Sequence, residues 1–505
     1  MSLDAIVIGS GIGGLTAGAM LARYGKKVLI CESHSLAGGA VHSFTRRGFH
    51  FDSGASFYCG LGKDRPSLHP LKQVLDVLEE SLDVVAYDPL GHYHFPEVTI
   101  PIYSNLDRYR QEISKITPTG AKELERFEQR LLQLYAGLKD IPTISLRSDW
   151  QLFPYLISNH LPALIKMFPQ LGLVSSSVGK IMDEEISDRT VRRLIDLECF
   201  LLSGLKADGT IAPEVAFMLG ERTRAGVEYP LGGGAAIVAA LVRGLQRWGG
   251  ELRLNAHVDR ILLESGKVKG IQLAKGEVIN APVVISNATI WDTYTKLLSP
   301  TDLPASFRTE AIATPAVDSF MHLHLGIRSD GLENLTGHHV VVHNSSKDIT
   351  VPGNTCMISI PSVWDKNLAP AGRYVVHAYT LEPFSGWKKD DGYQDKKLAR
   401  SQSLFKAVRK IIPDLDSRIE LQLIGSPLTH SFYLRRDRGT YGPAIPAGQG
   451  MFPSCHTPIQ GLYRVGDSTM PGIGVPAVAG SGILCANTLV SPTQTRNLLS
   501  KYAIA

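Results

Sequence analysis

Four glycines, Gly9, Gly11, Gly13 and Gly14, follow the short apolar run Ala5 to Ile8. An apolar periodic segment, Leu15 to Tyr24, comes next and stops at Gly25; a second apolar run, Val28 to Cys31, ends in an acid, Glu32. Glycines at this spacing let a main chain close on phosphates. Gly9 permits a tight turn, Gly11 lets the backbone approach a pyrophosphate, and Gly14 lets a helix pack close to a strand. The phosphates sit on unpaired N–H groups at a helix N-terminus, where the macrodipole favours negative charge. Glu32 stands where a carboxylate accepts from ribose hydroxyls, which argues against a 2′-phosphate there. Glycine turns also serve plain packing; strand, turn, helix, second strand and acid in register make this a nucleotide site.

Other residues with chemical potential are scattered along the chain. Gly38-Gly39 and Phe51-Asp52-x-Gly54 mark loops whose backbone can lie against a ligand. Gly461 to Ser468 reads as strand, glycine, acid, with Gly466 and Asp467 at its end, and Pro471 to Gly482, which includes Gly474 and Val475, opens a helix running through Leu484 to Leu489. Glu198 and Asp196 sit in the apolar stretch Ile195 to Ser203, where an ionised carboxylate is costly unless paired. Either Glu198 stays protonated and acts as an acid, or a salt bridge to Arg192, Arg193 or another basic residue holds it. His322, His324 and His377 lie on strand-like segments. A metal would need them to converge with further ligands, and nothing in the spacing requires that, so wall or surface histidines and no metal are expected.

The elements that must position these residues follow from length and pattern. A chain of 505 residues exceeds what one hydrophobic core usually serves. An apolar fraction of 44% lets it bury a large core, and the small net charge of +4 gives no support to nucleic-acid binding, although a mildly basic surface sits comfortably against anionic lipid. The six cysteines contain no C-x-x-C pair and read as reduced, buried thiols. The first apolar run has no basic flank, so no signal peptide is expected. From Gly60 to about Glu221 helical periodicity dominates, as in Leu71, Val74, Leu75 and Val77-Leu78, and in Leu124, Phe127, Leu131, Leu132 and Leu134-Tyr135. Within that block Trp150 to Val174 is strongly apolar but broken by Pro154, Pro162 and Pro169, too short a run to span a membrane. It reads first as buried core of a helical cap and second as an exposed face that dips into a membrane to collect a lipid. A helix with Ile237, Ala240, Leu241, Gly244, Leu245 and Trp248 on one face precedes three strands, His257 to Glu264, Val268 to Leu273 and Val278 to Ile285. Beyond Trp291 period-two strands are expected, such as Ser319 to Leu325 and Arg373 to Tyr379.

Gly9-x-Gly11-x-x-Gly14, Glu32, Gly38-Gly39 and Phe51-Asp52-x-Gly54, in this order, resemble the two-dinucleotide-binding-domain flavoproteins, the superfamily of FAD-dependent amine oxidases and phytoene desaturases. Many members carry arginine directly after the paired glycines, where this chain has Ala40. The resemblance implies an α/β fold: a Rossmann-like FAD-binding domain, residues 1–62, 225–300 and 455–495, with an inserted α+β substrate-binding or cap domain, residues 63–224 and 301–454. It implies FAD held by Gly9, Gly11, Gly13, Gly14, Glu32, Gly38 and Gly39, with the Val258 backbone at the adenine and Ser286-Asn287-Ala288 beside the pyrophosphate. Gly466-Asp467 would meet the ribityl and phosphate part, and the helix after Gly474-Val475 would point its N-terminus at the flavin pyrimidine.

Asp196 to Phe200, Tyr229 to Gly233, Ser286-Asn287-Ala288-x-x-Trp291-Asp292-Thr293 and Arg436 to Pro443 narrow the likeness, along essentially the whole chain, to the carotenoid isomerase branch of the phytoene desaturase family. That branch implies a hydrophobic polyene substrate in an apolar tunnel and cis-to-trans isomerisation through reduced flavin, and the apolar setting of Glu198 makes it the candidate catalytic residue. After His339-Val340-Val341-Val342 its pattern continues with an acid, where this chain has His343, which leaves open a carotenoid desaturase or saturase with net electron flow to or from a quinone or another carrier, a donor or acceptor that no residue specifies. A third reading is a non-catalytic flavin-bearing carotenoid or lipid carrier. The expected setting is peripheral membrane contact on the cytoplasmic side, or a plastid or photosynthetic membrane if a targeting segment lies outside this chain.

Overall fold

The computed structural model describes residues 2–54, 56–62 and 67–502. Its organising layer is a five-stranded, wholly parallel sheet in the order Glu251–Arg253, Val28–Cys31, Ala5–Ile8, Val283–Ser286, Leu462–Arg464. Ala5–Ile8 lies at its centre, pairing Ile6 with Leu29 on one side and Val284 on the other. All four of its residues are buried, which explains a continuous apolar run in place of an alternating one. The helices Ile12–Arg23, Gly233–Arg247 and Val475–Thr488 pack together on one face, so the first and last motifs of the chain meet in space.

One expected strand is two. Val278–Asn280 ends an antiparallel meander with Val258–Glu264 and Lys267–Leu273, whereas Val283–Ser286 belongs to the parallel sheet. Pro282 separates them: it offers no N–H to a ladder, and the chain changes sheets there.

The other large layer is a seven-stranded sheet, ordered Ile419–Gly425, Ser319–Arg328, Arg373–Glu382, Thr355–Ser359, His338–Val342, Gly91–His94, Thr99–Ile102. Ser319–Arg328 does not alternate buried and exposed, because both its faces are covered. Met321, Leu323, Leu325 and Ile327 pack with Leu404, Phe405 and Val408 of the helix Tyr393–Ile411, while Phe320 and His322 line a cavity on the other side. The helices Leu106–Ile116, Pro118–Leu138, Arg189–Ser203 and Ala212–Ala225 turn the expected apolar faces into the core of the cap, whereas Pro70–Val77 buries Leu71, Val74 and Leu75 in the core beside the parallel sheet, against Val475–Thr488. The expected boundary at 62/63 abuts residues 63–66, outside the described residues. The short sheet Tyr58–Cys59, Val227–Pro230, Val84–Ala86 ties the segments on either side together.

Trp150 to Val174 is not buried core. In the helix Leu152–Met167 only Ala163 is buried, and Trp150, Phe153 and Phe168 are 75%, 70% and 73% exposed. Leu152, Leu156, Met167 and Val174 border the cavity from the same segment. With apolar residues all around it and too few neighbours to cover them, this segment cannot hide both faces.

Candidate functional site

The glycine turn is built by close approach. A Cβ on Gly14 would lie 2.2 Å from the Gly9 carbonyl oxygen, so the helix Ile12–Arg23 packs on the strand only because position 14 has no side chain. A Cβ on Gly13 would lie 2.9 Å from the Gly466 amide, and one on Gly11 or Gly466 would press on the Asn287 carboxamide, at 2.7 and 2.8 Å. Gly38 bridges to Gly11, and its amide donates to the Ser10 carbonyl at 3.0 Å. Ser10 N–H and Oγ donate to Glu32 at 2.8 and 2.7 Å, as does the His34 amide at 2.8 Å. Glu32 is thereby fixed against the turn with its carboxylate bordering the cavity.

Two helix N-termini open on this space. The helix Ile12–Arg23 starts at Gly11, and Val475–Thr488 at Gly474, each without a capping side chain or an acid in its first turn. Their leading N–H groups, of which Pro476 has none, are therefore free for an anion or a polar ring edge. A cavity of about 900 Å³ joins them and continues under the cap. Gly11, Glu32, Gly38, Gly39, Gly466, Asp467, Gly474, Val475 and Glu198 border it. Gly9, Gly13 and Gly14 support it from behind, and Val258 is buried in its strand, two residues past Ala256, whose amide donates to the Glu32 carbonyl at 2.7 Å. Asp467 is already committed: Arg436 donates to its carboxylate and also to the carbonyls of Thr440 and Tyr441, so this pair ties a loop of the cavity wall to the C-terminal motif. Asp52 accepts from Ser43 Oγ at 2.7 Å, the Gly234 amide at 2.9 Å and Tyr229 at 3.0 Å, which makes it the cap of the helix Gly233–Arg247.

Glu198 borders the cavity from the helix Arg189–Ser203. Its basic neighbour is Arg222, 3.7 Å away; Arg192 and Arg193 pair with Asp183 and Glu97. Burial pushes the Glu198 carboxyl above its ordinary range, against the pull of the Arg222 guanidinium and the Tyr93 hydroxyl. Asp196 accepts the Ala207 amide at 3.0 Å and anchors the turn after that helix. Sequence reasoning left the partner of Glu198 as any basic residue and read Arg436 only as part of a motif; it did not pair Arg222 with Glu198 or Arg436 with Asp467, each brought in by an element remote along the chain. It also overlooked Glu214, whose signal was an acid at the start of an otherwise apolar helical segment.

His322, His324 and His377 form a buried layer. His322 Nδ1 and His377 Nε2 are 2.9 Å apart, the His324 and His377 rings are stacked at 5°, and the His322 ring lies at 16° to His377. The fold therefore brings together three histidines whose spacing along the chain did not require it: one nitrogen from each lies within 4.8 Å of the others, close enough to hold a metal ion, and the stacked rings form a flat layer. Burial holds His324 down to about 4 and His322 and His377 further below the usual histidine range, so all three are neutral.

An elongated dinucleotide fits this arrangement: an acceptor for a ribose at Glu32, a side-chain-free cradle at Gly11 and Gly466 for the pyrophosphate, and a second open helix end at Val475 for a flavin ring. The comparisons agree. Residues 12–490 match the family model for flavin containing amine oxidoreductases. A chloroplastic prolycopene isomerase of Daucus carota is 35% identical over 499 residues, covering 97% of this chain and 80% of the relative. A neurosporene-forming phytoene desaturase of Cereibacter sphaeroides is 26% identical over 518 residues, covering 95% and 93%. In fold, the chain is similar to the crystal structure of an oxidoreductase from Methanosarcina mazei, with a TM-score of 0.63, 20% identity and coverage of 95% and 99%. A family model that spans nearly the whole chain, on a fold whose two ends meet at one nucleotide cradle, places this protein in the flavin containing amine oxidoreductase family, with FAD as its cofactor.

Proposed function

We propose that this FAD-dependent enzyme converts cis double bonds of a carotenoid polyene to trans. The carrying observation is the cavity itself: one apolar space runs from the flavin cradle to the exposed apolar segment of the cap, as a long conjugated chain requires. The likeness to prolycopene isomerase supports isomerisation over other polyene chemistry.

Gly11, Gly38, Gly39 and Gly466 would hold the FAD pyrophosphate, Glu32 the ribose, and the amides after Gly474 the pyrimidine edge of the flavin. When bound and reduced, FAD supplies an electron pair that can lower the order of a double bond and be returned, which leaves isomerisation redox-neutral. Phe320, Tyr379 and His322 present flat faces to a conjugated chain, and the cap helices exclude water from it. A desaturase or saturase of the same family is the second reading, supported by the departure at His343. That imidazole is turned to the Ser403 carbonyl, 2.9 Å away, and does not border the cavity.

The exposed face of Trp150 to Val174 supports peripheral membrane contact, on the cytoplasmic side or on a plastid or photosynthetic membrane, with the polyene entering where that segment meets the cavity. Among the described residues no helix is long and apolar enough to cross a membrane.

The test is anaerobic incubation of the holoprotein with cis and trans polyenes, with and without dithionite, with products read by mass and absorption. Unchanged mass and conjugation length, with a shifted cis-to-trans ratio under dithionite only, is the expected result. A change of two hydrogens assigns the desaturase or saturase reading, and no turnover of any polyene sinks both.

A further inference from the structure

Among the described residues, most buried carboxyls have hydrogen-bond or ion-pair partners. Glu221 accepts from Tyr135, from Ser67 Oγ at 2.8 Å and from the Leu68 amide at 3.0 Å. Glu228 accepts the Leu61 and Gly62 amides at 2.9 and 2.8 Å. Glu214 is different. It borders the cavity from the first turn of the helix Ala212–Ala225, among Leu201, Leu202, Phe217 and Met218. The residue is half-buried on the cavity, and its Oε1 is buried with no hydrogen-bond partner among the described residues. Glu198 at least faces Arg222.

A pure hydrocarbon would leave this group unpaired in an apolar wall, a state that folded proteins rarely tolerate. We infer that Glu214 binds an oxygen function, a hydroxyl or a carbonyl, on the polyene, so that the preferred substrate is an oxygenated carotenoid and not the bare hydrocarbon. This rests on the polyene reading above and narrows it. The carboxyl suits the task because burial, with no opposing cation, raises it to about 7, so that about half of it carries a proton at neutral pH, and that form can both donate and accept. Its place in the fold suits it as well. The residue three positions before it, Ile211, bridges to Ser177, and the Ala212 amide donates to the Ser176 carbonyl at 2.9 Å, just past the exposed apolar segment. The oxygenated end of a polyene entering by that segment would halt at Glu214 while the conjugated chain reached on toward the flavin. Arg222 Nε and His322 Nε2, on residues that line the same cavity, likewise have no hydrogen-bond partner among the described residues.

The test measures binding of β-carotene, its mono-hydroxylated form and its mono-keto form to the FAD-loaded protein in detergent, by the shift of the polyene band. The wild type should bind one or both oxygenated forms at least about ten-fold tighter than the hydrocarbon. Glu214→Leu should lose that preference while binding β-carotene as well or better, and Glu214→Gln, which still donates and accepts, should keep most of it. The two oxygenated probes separate hydroxyl from carbonyl recognition. Equal affinity of the wild type for all three, or an unchanged ratio in Glu214→Leu with its FAD spectrum intact, overturns the proposal. If the leucine variant fails to retain FAD, the wild-type ratio alone decides. Failure of the wild type to bind any of the three sinks the polyene reading itself, a result distinct from loss of preference.

Discussion

At the scale of single residues, the site separates positions that touch the cofactor from positions that make room for it. Gly11 has an ordinary backbone conformation, and its missing side chain matters for the pyrophosphate and for Asn287. Gly11→Val should fold and purify without yellow flavin, as absorption near 450 nm would show. Gly14→Ala should lower stability by about 2 kcal/mol or more, seen as a lower thermal midpoint, because the new Cβ collides with a backbone oxygen that cannot move aside. Asp467→Ala leaves Arg436 without its carboxylate and should weaken FAD binding about ten-fold or more in titrations of the apoprotein. Glu198→Gln should retain FAD and alter turnover only. Glu214 gives a pH signature. Its folded value, about 7, lies above the ordinary 4.5, so the native state holds a proton that the unfolded chain releases between these values, and stability falls as pH rises through that window. Glu214→Gln should match the wild type near pH 4 and exceed it by about 1–3 kcal/mol at pH 8, by denaturant titration of the FAD-loaded protein.

At the scale of elements, the helix Leu152–Met167 and the turns around it combine two surfaces. Leu152, Leu156, Met167 and Val174 face the cavity, and Trp150, Phe153, Ile165 and Phe168 face outward. An outward face of this composition loses free energy in water and regains it in lipid. Replacing Trp150, Phe153 and Phe168 together by Ser should cut binding to anionic vesicles by about 100-fold in flotation, with the FAD spectrum unchanged. The same vesicle affinity in the triple variant would remove this segment from the membrane account. The sequence showed an apolar, proline-broken helix here, but burial depends on what neighbours it, and no local pattern reports that.

At the scale of the whole molecule, the chain closes a circle. The helix Ile12–Arg23 packs on Val475–Thr488, with a Cβ on Gly482 only 2.7 Å from the Gly13 carbonyl oxygen, so FAD would bridge segments more than 450 residues apart. Saturating FAD, at about 100 times its dissociation constant, should therefore stabilise the apoprotein by about 3 kcal/mol, raising its thermal midpoint.

The sequence by itself determined the nucleotide cradle and the strand–turn–helix–strand order that builds it, because those features depend on glycine, acid and apolar spacing over thirty residues. It also fixed the helical character of the cap and the existence of a second glycine-and-acid motif at the far end. Tertiary structure alone decided which groups meet. It placed Arg222 beside Glu198 and Arg436 on Asp467, broke Val278 to Ile285 between two sheets at Pro282, stacked three histidines into a wall, and left Trp150 to Val174 bare. Each of these rests on contacts between segments remote along the chain, and their free energies come from burial and pairing that no short stretch of residues encodes.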